Sequence, residues 1–143
     1  TLPGALVELV GRGSRRARAR RPCAMLGAMT TVYKVLSAAE WQAARQSGTY
    51  QGSAVDGRDG FIHFSSADQL AETLRRHFAG ARDLVLLWVD TSAITPESAW
   101  RWEPSRGGAL FPHLYASLPV SAVRRAQPLS LSAAGEHTLP ALE

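Results

Sequence analysis

With 143 residues, 45% hydrophobic and 20% charged, the chain has the size and composition of one globular domain, able to bury about two-thirds of its unfolded surface. No apolar run approaches the roughly 20 residues of a membrane-crossing helix, and the single cysteine, Cys23, excludes an intrachain disulfide framework or a multi-cysteine metal centre, so a reducing, cytoplasmic setting is expected. The net charge of +4 belongs to one end: six arginines (Arg12, Arg15, Arg16, Arg18, Arg20, Arg21) face Glu8 alone before Met29, leaving ten basic and eleven acidic residues and no basic groove for a nucleic-acid backbone.

Residues 1–28 hold an apolar start, Leu2 to Val10, and then the arginine run up to Pro22. The charges follow the apolar stretch instead of preceding it, so the stretch does not read as a secretory signal, although an Arg-rich transit peptide fits the composition, and the favoured expectation is a solvated, disordered leader. The abrupt change of pattern at Met29 is read as the native start, with the leader translated from upstream. The expected organisation is therefore a leader over 1–28, a domain over 29–130 and a flexible tail over 131–143.

From Thr31 the pattern is regular. Thr31 to Leu36 predicts a strand, and Ser37 with Glu40 three residues on predicts a capping box opening a helix to about Ser47, with Gly48 as its left-handed C-terminal stop. Gly52, Ser53, Asp56 and Gly57 predict a loop over Thr49 to Asp59. Phe61 to Phe64 predicts a second strand. Leu70, Leu74 and Phe78, at i, i+4 and i+8, give a helix over Ala67 to Phe78 one apolar face, with Ser65 or Ser66 as its cap rather than a nucleophile.

Leu84 to Val89 is an almost unbroken apolar run, the signature of a strand buried on both faces. Thr91 to Pro96 predicts a turn, Trp100 to Glu103 a short edge strand, Ala109 to Tyr115 an extended or irregular stretch around Pro112, and Ala122 to Leu129 a last strand. Helices interleave with strands only in the first half, so the class is α+β, with a mixed or antiparallel sheet and two main helices.

Two stretches carry the chemistry: Gly60-Phe61-Ile62-His63-Phe64-Ser65-Ser66, and Trp102-Glu103-Pro104-Ser105-Arg106-Gly107-Gly108 followed by Phe111-Pro112-His113-Leu114-Tyr115. His63 shares a strand face with Phe61 and Ser65 by the period of two, and Asp59 stands at the strand entrance. It is either a core histidine bonded to a carbonyl or a pocket histidine that meets a ligand. His113 lies among aromatic residues and is either loop packing or part of the same pocket. Glu103, beside Trp102, is either paired with Arg101 or Arg106 or partly desolvated and suited to acid–base work. Pro104 to Gly108 is a donor-rich loop in which Arg106 could fork a phosphate, without the ending of a phosphate-binding Walker loop. The histidines lack metal-ligand spacing, so no metal site is predicted.

Taken in order, Tyr33-Lys34-Val35-Leu36, Trp41, Gly48, Asp59-Gly60-Phe61-Ile62-His63-Phe64-Ser65, Thr73 and Phe78, Trp102-Glu103-Pro104 and Phe111-Pro112-His113-Leu114-Tyr115 resemble the bacterial domain-of-unknown-function 952 family over about Thr31 to Leu129. The resemblance implies an ADP-ribosyltransferase-like fold, in which a split sheet forms a cleft that holds NAD in transferase relatives. It implies an address more than a reaction. In such a cleft Glu103 would face the positive charge that develops on the ribose, His63 and Ser65 would hold ribose hydroxyls with Asp59 and His113 nearby, Tyr33 or Tyr115 would stack on nicotinamide, and Arg106 would take a phosphate. Two functions fit: an ADP-ribosyltransferase or NAD glycohydrolase, or a non-catalytic module that binds a small metabolite or a protein in the same cleft. Neither needs a specific nucleic acid or a membrane.

Overall fold

The computed structural model describes residues 30–105 and 108–142; the leader, Met29 and Arg106 lie outside the described residues. The first strand, β1 (Thr31–Ser37), pairs antiparallel along its whole length with β4 (Leu84–Asp90), from Thr31 opposite Asp90 to Ser37 opposite Leu84. On its other side β4 pairs with β8 (Val123–Leu131), which in turn carries β9 (His137–Thr138).

Strand β4 is central, and that explains its unbroken apolar sequence. Val85, Leu87 and Val89 enter one core with Val32, Leu36, Ile62, Phe64, Leu114 and Leu118, while Leu84, Leu86 and Trp88 enter a second with Tyr33, Val35, Leu70 and Leu74. Alternate side chains of one strand thus serve opposite layers, each fully buried residue being worth about 1.5–3 kcal/mol of transfer free energy.

Helix α1 (Ala38–Ser47) begins where expected, with Ser37 Oγ accepting from Glu40 N and the Glu40 carboxylate accepting from Ser37 N, and it ends at Gly48 with φ 93°. The segment expected to be a loop is more ordered than its glycines suggest. Thr49–Tyr50 form β2, paired with β7 (Leu118–Pro119), and Ala54–Asp59 form a short helix, α2, with its own capping box between Ser53 and Asp56 and a left-handed stop at Gly60. Three residues separate Ser53 from Asp56 as they do Ser37 from Glu40, and the same mechanism makes both helix starts.

The second sheet has the order β3-β6-β5, from β3 (Ile62–His63), β6 (Leu110–Leu114) and β5 (Trp100–Pro104). The stretch expected to be irregular around Pro112 is the middle strand. Phe64 N donates to the Pro112 carbonyl, so proline's missing N–H faces the end of β3, where only one ladder bond is lost. The chain then leaves β6 and bridges to β1, through reciprocal bonds of 2.8 and 2.9 Å between Ser65 and Tyr33. Helix α3 (Ala67–His77) follows and buries Leu70 and Leu74 against the second core.

The class is α+β as expected, and every strand pair among the described residues is antiparallel. The residues expected to be a flexible tail instead form a hairpin: β8 runs on to Leu131, β9 returns along it, His137 Nε2 lies 2.9 Å from the Ala81 carbonyl, and Leu139 and Leu142 pack on the second core. Two apolar anchors and a ladder offset the ordering entropy there. No helix among the described residues is long and apolar enough to cross a membrane.

Candidate functional site

The period of two divides the β3-β6-β5 sheet. Ile62, Leu114 and Trp100 lie opposite one another and turn to the first core, whereas His63, His113 and Arg101 lie opposite one another on the other face, with Phe111 and Glu103 one step along. Register therefore collects the two chemical stretches of the sequence on one surface.

There Phe61 stacks on His113, ring centroids 4.0 Å apart and planes at 22°, and reaches His63 at 4.6 Å and Tyr115 at 5.2 Å. The imidazoles of His63 and His113 meet edge to face at 5.4 Å. Glu103 Oε1 lies 2.8 Å from His113 Nδ1 and accepts from the Tyr115 hydroxyl at 2.7 Å; Arg101 lies over the Tyr115 ring at 4.7 Å. The hydrogen bonds from His113 and Tyr115 hold the Glu103 carboxyl below the usual carboxylate range, and the bond to Glu103 pushes the Tyr115 hydroxyl up. Glu103 is thus an ionised carboxylate at neutral pH, with about one-third of its side chain in solvent.

His63 is held from below. Asp56, 3% exposed, accepts at Oδ1 from the His63 backbone N–H at 3.2 Å and lies 2.6 Å from His63 Nδ1. Its Oδ2 accepts from Ser53 N at 2.9 Å and from Lys34 Nζ at 2.8 Å. Burial by itself would raise the Asp56 carboxyl, but the His63 hydrogen bond and the Lys34 ammonium outweigh it and hold Asp56 well below its ordinary value. Burial lowers the Lys34 ammonium, and Asp56 opposes that shift. On the outer side, Asp59 Oδ2 lies 3.0 Å from His63 Nε2, and Asp59 is 39% exposed at its side chain.

Of the residues singled out from sequence, His63, Asp59, Glu103, His113 and Tyr115 come together. Tyr33 does not: it is 1% exposed, its ring meets Trp88 edge-on at 5.8 Å in the second core, and it cannot stack on a ligand at this face. Ser65 is also corrected. It is 4% exposed and its hydroxyl meets that of Thr73 on α3 at 2.9 Å, because the chain turns away from β6 to reach β1 before the period-two rule can place it beside His63. His113 is a buried support, its ring covered by Phe61 and its Nε2 without a hydrogen-bond partner among the described residues. Arg106 lies outside the described residues.

Asp56 and Lys34 were not among the residues singled out from sequence, and Arg101, weighed there as a partner for Glu103, lies over the Tyr115 ring. The Ser53-x-x-Asp56 spacing was the available signal for Asp56, since it marks a helix start and so a fixed carboxylate seven residues before His63. Lys34 gave none: a lysine in the middle of an apolar strand reveals a buried partner only once the opposite element is known.

Beside the cluster an open depression of about 340 Å³ is lined by Gln51, Gly57, Gly60, Phe61, Tyr115 and Ser117, among others. Phe61 and Tyr115 are its common wall with the histidine cluster. No group of three His, Cys, Asp or Glu side chains among the described residues is placed to hold a metal ion.

Comparison with known proteins follows the same outline. No curated protein matches the chain. It is similar to the crystal structure of protein CC0527 from Caulobacter crescentus, 49% identical, with a TM-score of 0.72, covering 76% of this chain and 94% of that one. It is also similar to the solution structure of CC0527, 51% identical, with a TM-score of 0.67, covering 76% and 91%. Residues 35–126, which hold β3, β5, β6 and every member of the cluster except Lys34, match the family described as "Protein of unknown function (DUF952)", and the chain belongs to that family.

Proposed function

We propose that the face formed by His63, Glu103, Phe61 and Tyr115 binds a nucleotide-like small molecule such as NAD, and that Glu103 is the catalytic carboxylate of an ADP-ribosyltransferase or NAD glycohydrolase reaction. The observation that carries this reading is that Glu103, from the β5 stretch, and His63, from the β3 stretch, share one sheet face and are linked through His113.

The chemistry follows from charge. Breaking the bond between nicotinamide and ribose develops positive charge on the sugar, and an ionised carboxylate facing it stabilises the transition state more than the ground state. Glu103 has the required charge, and His113 and Tyr115 orient it. In this reading His63, one-third exposed, meets a ribose hydroxyl and the Phe61 and Tyr115 rings stack on a base, a reading supported by their proximity on one face. Tyr33 and Ser65 have no part in this version, and His113 acts through Glu103.

A second reading, a non-catalytic binding module, is favoured by the depression, whose lining includes Phe61 and Tyr115 but neither Glu103 nor His63. One experiment separates them. NAD is titrated into the full chain while thermal unfolding is followed, and nicotinamide release is assayed. Ligand at 100 times Kd stabilises by about 2.7 kcal/mol, several degrees for a domain of this size. A shift with release that is lost in Glu103→Gln supports the enzyme; a shift without release supports the module; no shift at millimolar NAD overturns NAD as the ligand.

A further inference from the structure

Buried ion pairs are costly, since desolvation of both charges rivals their attraction, and two apolar side chains would fill the same space at least as stably. Lys34 and Asp56 are nonetheless 7% and 3% exposed and 2.8 Å apart. The pair does not end with itself: the Asp56 oxygen that Lys34 leaves free reaches both the backbone N–H and the ring Nδ1 of His63. One carboxylate thus fixes the strand and the imidazole together.

The ring has carboxylates on both sides, but they are unequal. Asp56 Oδ1 is buried, held at 2.6 Å and unable to turn, because Ser53 N and Lys34 Nζ hold its other oxygen. Asp59 Oδ2 stands 3.0 Å from Nε2 on an exposed side chain, where solvent screens the contact. Protonated His63 can donate to both; neutral His63 has a single N–H to place. The charged and titratable groups around the ring are Asp56 and Asp59 of α2, Lys34 of β1 acting through Asp56, and His113 of β6, whose Nδ1 is taken up by Glu103 of β5.

We propose that Asp56, anchored by Lys34, is the positioning residue of the site: it keeps the proton on His63 Nδ1, so that Nε2 is the nitrogen that exchanges a proton with a ligand or water, and Asp59 accepts from Nε2 only while the ring is protonated. What Nε2 meets rests on the functional reading above; the tautomer is a property of the unliganded chain.

The test is nitrogen NMR of the full chain with labelled histidine, the His63 signals assigned by their loss in His63→Ala, followed through the ring's titration without ligand. The expected result is that Nδ1 keeps the shift of a protonated nitrogen while Nε2 moves to that of a bare one. In Asp56→Asn the amide oxygen keeps the place between Lys34 and Ser53 N–H, and the NH₂ group then faces the His63 backbone N–H, which loses its acceptor, and Nδ1, so the two nitrogens should exchange their pattern. Asp59→Asn should leave the wild-type pattern in place. A neutral His63 with its proton on Nε2 in the wild type overturns the proposal even if Asp56→Asn does not fold, as does a folded Asp56→Asn with an unchanged pattern. Failure of NAD to bind would leave these readings intact, so the two ideas fall separately.

Discussion

His63 and His113 stand opposite each other in the β3–β6 ladder with ring centroids 5.4 Å apart, yet each turns its Nδ1 to a different carboxylate, Asp56 for the first and Glu103 for the second. The two dyads differ in depth: Asp56 is buried beneath its histidine, whereas the histidine of the other dyad is buried and its carboxylate meets solvent. Stability and chemistry should therefore separate between them.

Asp56→Ala should be among the most destabilising single changes at the site. It leaves the Lys34 ammonium buried without its counter-charge and removes the carboxylate that accepts from Ser53 N and His63 N. Breaking a buried pair from one side costs about 3–5 kcal/mol. Denaturant unfolding should show a lower midpoint with an unchanged slope, and a loss under 1 kcal/mol would contradict the pair's burial.

Acid should expose the same group. Asp56 has a depressed folded-state value, so the unfolded chain binds its proton more readily than the folded one. Its contribution is complete above the unfolded carboxylate value of about 3.9 and is lost progressively as pH falls through and below it. Stability measured from pH 6 to pH 2 should fall more steeply in the wild type than in Asp56→Asn, and parallel curves would refute this.

Glu103→Gln should act on Tyr115 without unfolding the chain. The hydrogen bond to Glu103 and the charge behind it raise the Tyr115 hydroxyl, so a neutral amide should let it titrate closer to the ordinary tyrosine value of about 10. An alkaline titration followed by NMR of the Tyr115 ring would show this, and an unchanged Tyr115 would mean that the contact does not persist in solution. Because Glu103 is partly exposed, folding stability should change little.

Leu114→Ala tests the layer beneath. Leu114 is fully buried, opposite Ile62 and Trp100, on the face of β6 away from His113. The cavity left by such a truncation costs about 2–5 kcal/mol. The measurement is chemical unfolding, and a cost below that range would mean the β6 layer can collapse around the gap.

Local signals in the chain determined much of this protein. The Ser37–Glu40 box, Gly48, the Leu70–Leu74 spacing and the apolar run of β4 each act within a few residues, through caps, left-handed backbone or period, so their elements could be read directly. The placing of His63 and Glu103 in one neighbourhood was legible too, because both lie in short aromatic-rich strand patterns. Tertiary structure decided the rest. A strand's alternation separates its two faces but does not say which layer covers each, so Tyr33 went to the core with Trp88, and Ser65, past the end of the β3–β6 ladder, went to Thr73. The partnership of Lys34 with Asp56 spans 22 residues and the hairpin of β9 needs β8 already in place. Contacts of that kind exist only once the sheet's register has brought distant residues within a few ångströms, and no local pattern in a chain encodes a distance.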